Sequence, residues 1–345
     1  MTTYRVVQWA TGNIGTKSLR EVIAYPDFDL VGVYVHSPEK AGRDAGDLCG
    51  AATTGVLATN DIADVFALHA DCVLYMPQQC NFDEVCQLLA SGANIVTTRG
   101  EFHHPPTLDA DVRERVERAC AEGGTSIYST GSSPGFITEA IPLALTSIQR
   151  RLDALVIDEF ADLSQRNSPE LLFELMGFGT DPSSFDPRRW AHGAISFGPS
   201  LRLLADALSL PLDDVEASGE VAVAARDIEI VAGPLAKGTV AAQRMVVNGM
   251  RRGKPLLTFR ANWYCTKELE PAWDLRDTGW RVMVDGDAPL DVELRFPISL
   301  DRMGETTPGY TANRAVNAVP VVCEAPPGIR TTIDLPHVIA RLTDD

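Results

Sequence analysis

The residue best placed for proton chemistry in this sequence is Glu101, in the run TTRGEFHHPP. It follows a short β-branched stretch, Asn94 to Thr98, and precedes a Pro105-Pro106 pair that stiffens the chain. A carboxylate there stands at the carboxyl end of a strand, the edge at which open α/β sheets bind ligands. In a partly dry setting it would take a proton from a cationic donor and return one to a departing hydroxyl. The adjacent His103 and His104 are read as loop or interface residues. Seven cysteines (Cys49, Cys72, Cys80, Cys86, Cys120, Cys265, Cys323) form an odd set with no C-x-x-C pair. That spacing argues against a disulfide framework and against a zinc site, so no metal is expected. Cys120 lies near the end of a predicted helix, where the dipole disfavours a thiolate nucleophile.

A second constellation is ATGNIG, with the spacing Ala10-x-Gly12-x-x-Gly15. This is a dinucleotide fingerprint whose first glycine is alanine. Gly12 lets the backbone approach a pyrophosphate, Gly15 lets a helix pack on its strand, and the helix start at Asn13 and Ile14 offers free N–H groups to the anion. The motif follows a strand and opens a helix, the context that gives it meaning. At the end of the next strand the chain reads VYVHSPEKAGRD. His36 and Ser37 stand where an acid would hold unphosphorylated ribose, with Lys40 and Arg43 within reach of the loop. Hydroxyl and cationic donors suit a 2′-phosphate, so NADP(H) is expected to be preferred, while Glu39 keeps NAD(H) possible. Met76, Pro77 and Thr98, at further strand ends, complete the candidate cofactor residues.

These groups need a scaffold, and the 345-residue chain supplies it. Strands are read at Tyr4 to Trp9, Asp29 to His36, Asp71 to Met76, Asn94 to Thr98 and Ser126 to Thr130. Helices alternate with them: one from Ile14 to before Pro26, one capped by Asn81, one ending at Gly123. This is an α/β Rossmann dinucleotide-binding domain, residues 1–137. Residues 138–305 read as an α+β domain with a mainly antiparallel sheet, turn signals at Asn248-Gly249 and Asp285-Gly286, and helical pieces around SPELLFELMGFG and SLRLLADAL. Residues 306–345 read as a helical tail, interrupted at Pro320, that returns to the first domain. With 47 acidic against 30 basic residues the net charge is -17. Such a surface repels polyanions, so nonspecific nucleic-acid binding is not expected. No apolar run reaches the roughly 20 residues of a membrane span, and the first residues carry no basic stretch followed by a long apolar one, so a cytoplasmic location is expected.

The stretches WATGNIG, LVGVYVHSPEKAGRDAG, NIVTTRGEFHHPP, STGSSPGF and TANRAVNAVPVVCEAPPGI occur in an order that resembles the 2,4-diaminopentanoate dehydrogenase and native amine dehydrogenase family, distantly related to dihydrodipicolinate reductases. The resemblance implies reversible oxidative deamination of an amine to a carbonyl compound and ammonia with NAD(P), in a homodimer formed through the second domain. It also implies that Glu101 binds ammonia or the substrate amine. Family members often carry a second acid just before that glutamate, where this chain has Gly100. The counterpart of STGSSPGF lies beside the nicotinamide in the family, so Phe136 is a candidate pocket wall, together with Phe173, Met176, Tyr310 and Asn313. An apolar pocket favours small aldehydes and ketones; an amino-acid substrate would call for an arginine, for which Arg166 and Arg202 are candidates.

Overall fold

The computed structural model describes residues 3–342, which divide into two compact units, residues 3–136 with 307–342 and residues 137–306. The first unit is built on a parallel sheet of β1 (Tyr4–Trp9), β2 (Phe28–Tyr34), β3 (Ala58–Thr59), β4 (Cys72–Tyr75), β5 (Asn94–Thr97) and β6 (Ser126–Ser129), in the spatial order β6-β5-β4-β1-β2-β3. Crossovers are made by α1 (Asn13–Ala24), α2 (Ala45–Cys49), α3 (Ile62–Ala67), α4 (Phe82–Ala90) and α5 (Ala110–Gly123). The chain leaves β1 toward β2 on one side and reaches β4 on the other, which makes the carboxyl end of β1 the topological switch point. Helix ends follow local chemistry. Asn81 accepts from the N–H groups of Asp83 and Glu84 to start α4, and Gly124, at φ 68, closes α5 in the left-handed region.

The second unit contains α6 (Ile141–Thr146), β7 (Leu152–Asp162), α7 (Ala191–Ala207), β8 (Asp214–Ala224), the small hairpin of β9 (Ile228–Ile230) and β10 (Gly233–Leu235), β11 (Val240–Arg251), β12 (Lys254–Tyr264), β13 (Leu269–Glu270), β14 (Gly279–Gly286) and β15 (Leu290–Arg295). Its large sheet runs β13-β8-β11-β12-β7-β14-β15, antiparallel throughout except for the β12–β7 pair. α7 covers one face, laying Gly193 against Met245 and Val247. The alternate residues face the other way and are joined by ion pairs: Arg260 with Asp158, Arg244 with Glu220, Arg281 with Asp291.

Two expected turns lie elsewhere. Asn248 and Gly249 are inside β11, where Leu212 packs so closely on Gly249 that a Cβ would sit 2.5 Å from its Cδ1. The hairpin instead turns at Arg252-Gly253, both at positive φ. Asp285 and Gly286 end β14, with Gly286 against the carbonyl of Arg151, and the chain turns over residues 287–289.

α8 (Leu300–Cys323) runs through Pro320 without the expected interruption, because that proline removes a single hydrogen bond near the helix end. Its buried Ala315, Val316, Val319 and Val322 pack with Val6, Leu74, Val96 and Tyr128 of the first sheet. The tail is not only helical. A final strand, β16 (Gly328–Arg330), adds parallel to β6 and brings the first sheet to seven strands.

Candidate active site

The glycine-rich loop is shaped by β1 before any ligand is considered. Ala10 adopts φ 70, the left-handed conformation that a glycine would take without cost. It is held there by its own N–H to the Tyr34 carbonyl at 2.8 Å and by Gln8 Nε2, which donates to the Ala10 carbonyl at 3.0 Å. Gln8 is fully buried beneath the loop, and its supporting role carries no motif signal. A Cβ on Gly15 would lie 2.1 Å from the Ala10 oxygen, so that position admits only glycine. Gly12 differs: nothing lies within 4 Å of where its Cβ would be. It caps α1 without a side-chain bond, which leaves the first N–H groups, around Asn13 and Ile14, for an anion.

Beyond β2, Ser37 opens a 3-10 turn, Pro38–Lys40, that folds Lys40 back onto the loop. Lys40 Nζ donates to the Thr11 carbonyl at 3.0 Å and reaches Thr11 Oγ1 at 3.2 Å. His36, Glu39 and Arg43 are exposed and Ser37 is half-buried. His36 stands edge-on to Tyr34, which stacks on Trp9 at 3.8 Å. The loop that follows is fixed by Asp44, which accepts from the N–H groups of Thr54, Gly46 and Gly55; the Thr54 bond leads in holding its carboxyl below the usual range.

Glu101 lies in a short turn, Gly100–Phe102, directly after β5. Phe102 is driven fully into the core against Phe82, which anchors the turn. Glu101 Oε1 accepts from Arg99 Nη2 at 2.7 Å, while Oε2 is buried with no hydrogen-bond partner among the described residues. Arg99 had no functional reading from sequence, since an arginine two positions from a glutamate is ordinary. On the same sheet edge, Met76 and Pro77 are buried at the end of β4, and Thr98 is half-buried after β5. The structure thus brings Gly12, Gly15, Met76, Pro77, Thr98 and Glu101 to the carboxyl edge of one parallel sheet. His103 and His104 are buried.

The STGSSPGF segment is tied to α8 by Ser132 Oγ and Thr311 Oγ1 at 2.7 Å, which sets it beside the turn of helix that carries Tyr310 and Asn313. Phe136 bonds back to the Gly131 carbonyl and is half-buried. In the second unit, Phe173 and Met176 belong to an apolar cluster with Leu172, Phe178 and Leu235. Arg202 lies 3.9 Å from Asp214, whereas burial pushes the Arg166 guanidinium below its usual pKa. Burial also pushes the thiols of Cys80, Cys120 and Cys265 up to about 12, so they stay protonated at neutral pH and are poor nucleophiles. No group of three or more metal-ligating side chains occurs among the described residues, and no helix of the described residues is long and apolar enough to cross a membrane.

Residues 136–345 match the family model described as 2,4-diaminopentanoate dehydrogenase C-terminal domain, and residues 6–99 match dihydrodipicolinate reductase, N-terminus. An amine dehydrogenase of Streptomyces virginiae is 28% identical, covering 96% of this chain and 95% of that protein. A 2,4-diaminopentanoate dehydrogenase of Acetoanaerobium sticklandii is 23% identical, covering 76% of this chain and 72% of its own. The solved amine dehydrogenase from Mycobacterium smegmatis superposes with a TM-score of 0.78 at 20% identity, covering 98% of this chain and 97% of that one, and shows that the fold is shared.

Proposed function

The chain belongs to the family defined by the 2,4-diaminopentanoate dehydrogenase C-terminal domain, and from that premise we propose that it is an NAD(P)-dependent amine dehydrogenase. The reaction is reversible: an amine is oxidised to a small aldehyde or ketone and ammonia, or the carbonyl compound is reductively aminated. The observation that carries this reading is the Glu101 carboxylate, with one oxygen anchored and the other buried and without a hydrogen-bond partner among the described residues, on the sheet edge that also bears the glycine-rich loop.

The residues present fit a dinucleotide. Open space at Gly12 and an uncapped α1 suit a pyrophosphate, and the bound nicotinamide would supply or accept the hydride. Glu101 then takes a proton from ammonium at Oε2, the ammonia so freed adds to the carbonyl carbon with one proton passing from nitrogen to the former carbonyl oxygen, and Glu101 returns its proton to the carbinolamine hydroxyl so that water leaves an iminium. Oxidation runs the same steps backward. Phe136, Tyr310 and Asn313 are the proposed substrate-contacting side chains of the first unit; Phe173 and Met176 are candidates within the second.

NADP(H) preference is part of the proposal, supported by Lys40, Thr11 and Ser37 around the end of β2. Lys40→Met is expected to weaken NADPH binding about tenfold or more, the worth of a charge-assisted phosphate contact, and NADH binding by about twofold or less. Fluorescence titration of both cofactors checks this; an equal loss for both would assign Lys40 to the shape of the loop alone. Homodimerisation and a cytoplasmic location complete the reading, the latter supported by seven free thiols. Sedimentation should give twice the 37.3 kDa chain mass.

The direct test is NADPH oxidation against a panel of small aldehydes and ketones, with and without high ammonium at mildly alkaline pH. Oxidation that requires ammonium is the expected result. Oxidation without it would replace this reading by a carbonyl or imine reductase, and tight NADPH binding with no turnover anywhere would favour a sensor.

A further inference from the structure

We propose that Arg99 is the positioning residue for the Glu101 carboxylate, an inference that rests on the amine dehydrogenase reading above. A glutamate side chain has three rotatable bonds, and Glu101 sits on a single turn rather than a long helix. Something else must fix where its oxygens point. Arg99 does so with a two-pronged grip: Nη2 holds Glu101 Oε1 at 2.7 Å while Nη1 donates to the Gln78 carbonyl at 2.6 Å.

The arginine is itself pinned on both sides of its Cα. Its N–H donates to Thr97 Oγ1 at 3.1 Å, and its carbonyl accepts from Ser129 Oγ at 2.6 Å. Thr97 Oγ1 donates in turn to the Tyr75 carbonyl at 2.6 Å. The guanidinium is therefore referenced to three neighbouring strands, β4, β5 and β6, and it links the loop after β4, which carries Met76 and Pro77, to the acid after β5.

The grip consumes one carboxylate oxygen and leaves Oε2 for the reacting nitrogen. A fixed cation beside Oε1 also repels a second cation from that side, which directs an ammonium or amine to Oε2. Partial exposure of both side chains, 31% and 27%, makes the pair a poor contributor to stability in its own right. Its geometry suits a role in orientation. Lysine offers one compact donor centre in place of the fork and cannot hold both partners in the same plane.

The test compares Arg99→Met and Arg99→Lys in the full-length protein, reading kcat, KM for ammonium, dinucleotide affinity and melting temperature. Arg99→Met is expected to lower kcat about 100-fold, the usual cost of displacing a reacting group by about 1 Å, with NADPH affinity within about twofold. Arg99→Lys should lose about tenfold in kcat, and added guanidinium ion should restore part of the Met variant's rate. Wild-type kcat and KM in either folded variant, with or without a lowered melting temperature, would overturn the proposal. If Glu101→Gln turned over normally the amine dehydrogenase reading would fail first; if Glu101→Gln is dead and the Arg99 variants are fully active, only this inference fails.

Discussion

Glu101→Gln is expected to lower kcat by about 10³-fold, the middle of the range for loss of a general acid–base, while the affinity for NADPH stays within about twofold. Glutamine keeps the length of the side chain, and its amide oxygen still accepts from Arg99 Nη2, so the turn at Gly100–Phe102 keeps its shape. What disappears is the ability to exchange a proton through Oε2. Stability should change little, because the ion pair is about one-third exposed on each side and screened by solvent. The clean measurement is single-turnover cofactor oxidation with saturating carbonyl substrate and ammonium, beside a binding titration of the same preparation. A variant that bound NADPH normally and turned over at the wild-type rate would remove Glu101 from the chemistry.

The second large effect separates two glycines three residues apart. Gly12→Ala should leave the melting temperature unchanged, since its Cβ enters open space, yet cut dinucleotide affinity by about 100-fold, about 2.7 kcal/mol, because the methyl group fills the approach of the pyrophosphate. Gly15→Ala should do the reverse in order of cause. Its Cβ meets the Ala10 carbonyl at 2.1 Å, and that carbonyl is held by Gln8, so the loop or the helix must move. Overpacking of this kind costs about 3 kcal/mol, which lowers the melting temperature by about 6 to 12 °C and weakens binding as a by-product. Calorimetry and fluorescence titration on the two variants distinguish the roles. Normal NADPH binding by Gly12→Ala would mean that the loop serves packing rather than phosphate.

The elements that position this site were legible where the signal was local. β1 starts and stops at the residues its apolar run predicts, and Asn81 caps α4 with the bonds its residue type promises. β16 was not legible: three residues that pair only with β6 have no periodicity of their own. The Asn248-Gly249 dipeptide misled for a related reason. It carries strong turn chemistry, but Leu212 needs the missing side chain at Gly249, and a tertiary contact outweighed the local preference. At the site, the glycine spacing and the place of Glu101 after a strand could be read in one dimension. The grip of Arg99 and the return of Lys40 onto Thr11 could not, since both depend on where side chains end rather than where they begin.

β16 also has a bearing on how the molecule is made. Its partner β6 is translated long before it: Ser126 and Val322, bonded to each other just ahead of this strand, are 196 positions apart in the chain. While the second unit is being synthesised, the nascent nucleotide-binding sheet therefore has a bare flank at β6, with unpaired N–H and C=O groups along it. Premature termination before Gly328 leaves that flank open for good and invites strand-to-strand association between incomplete chains.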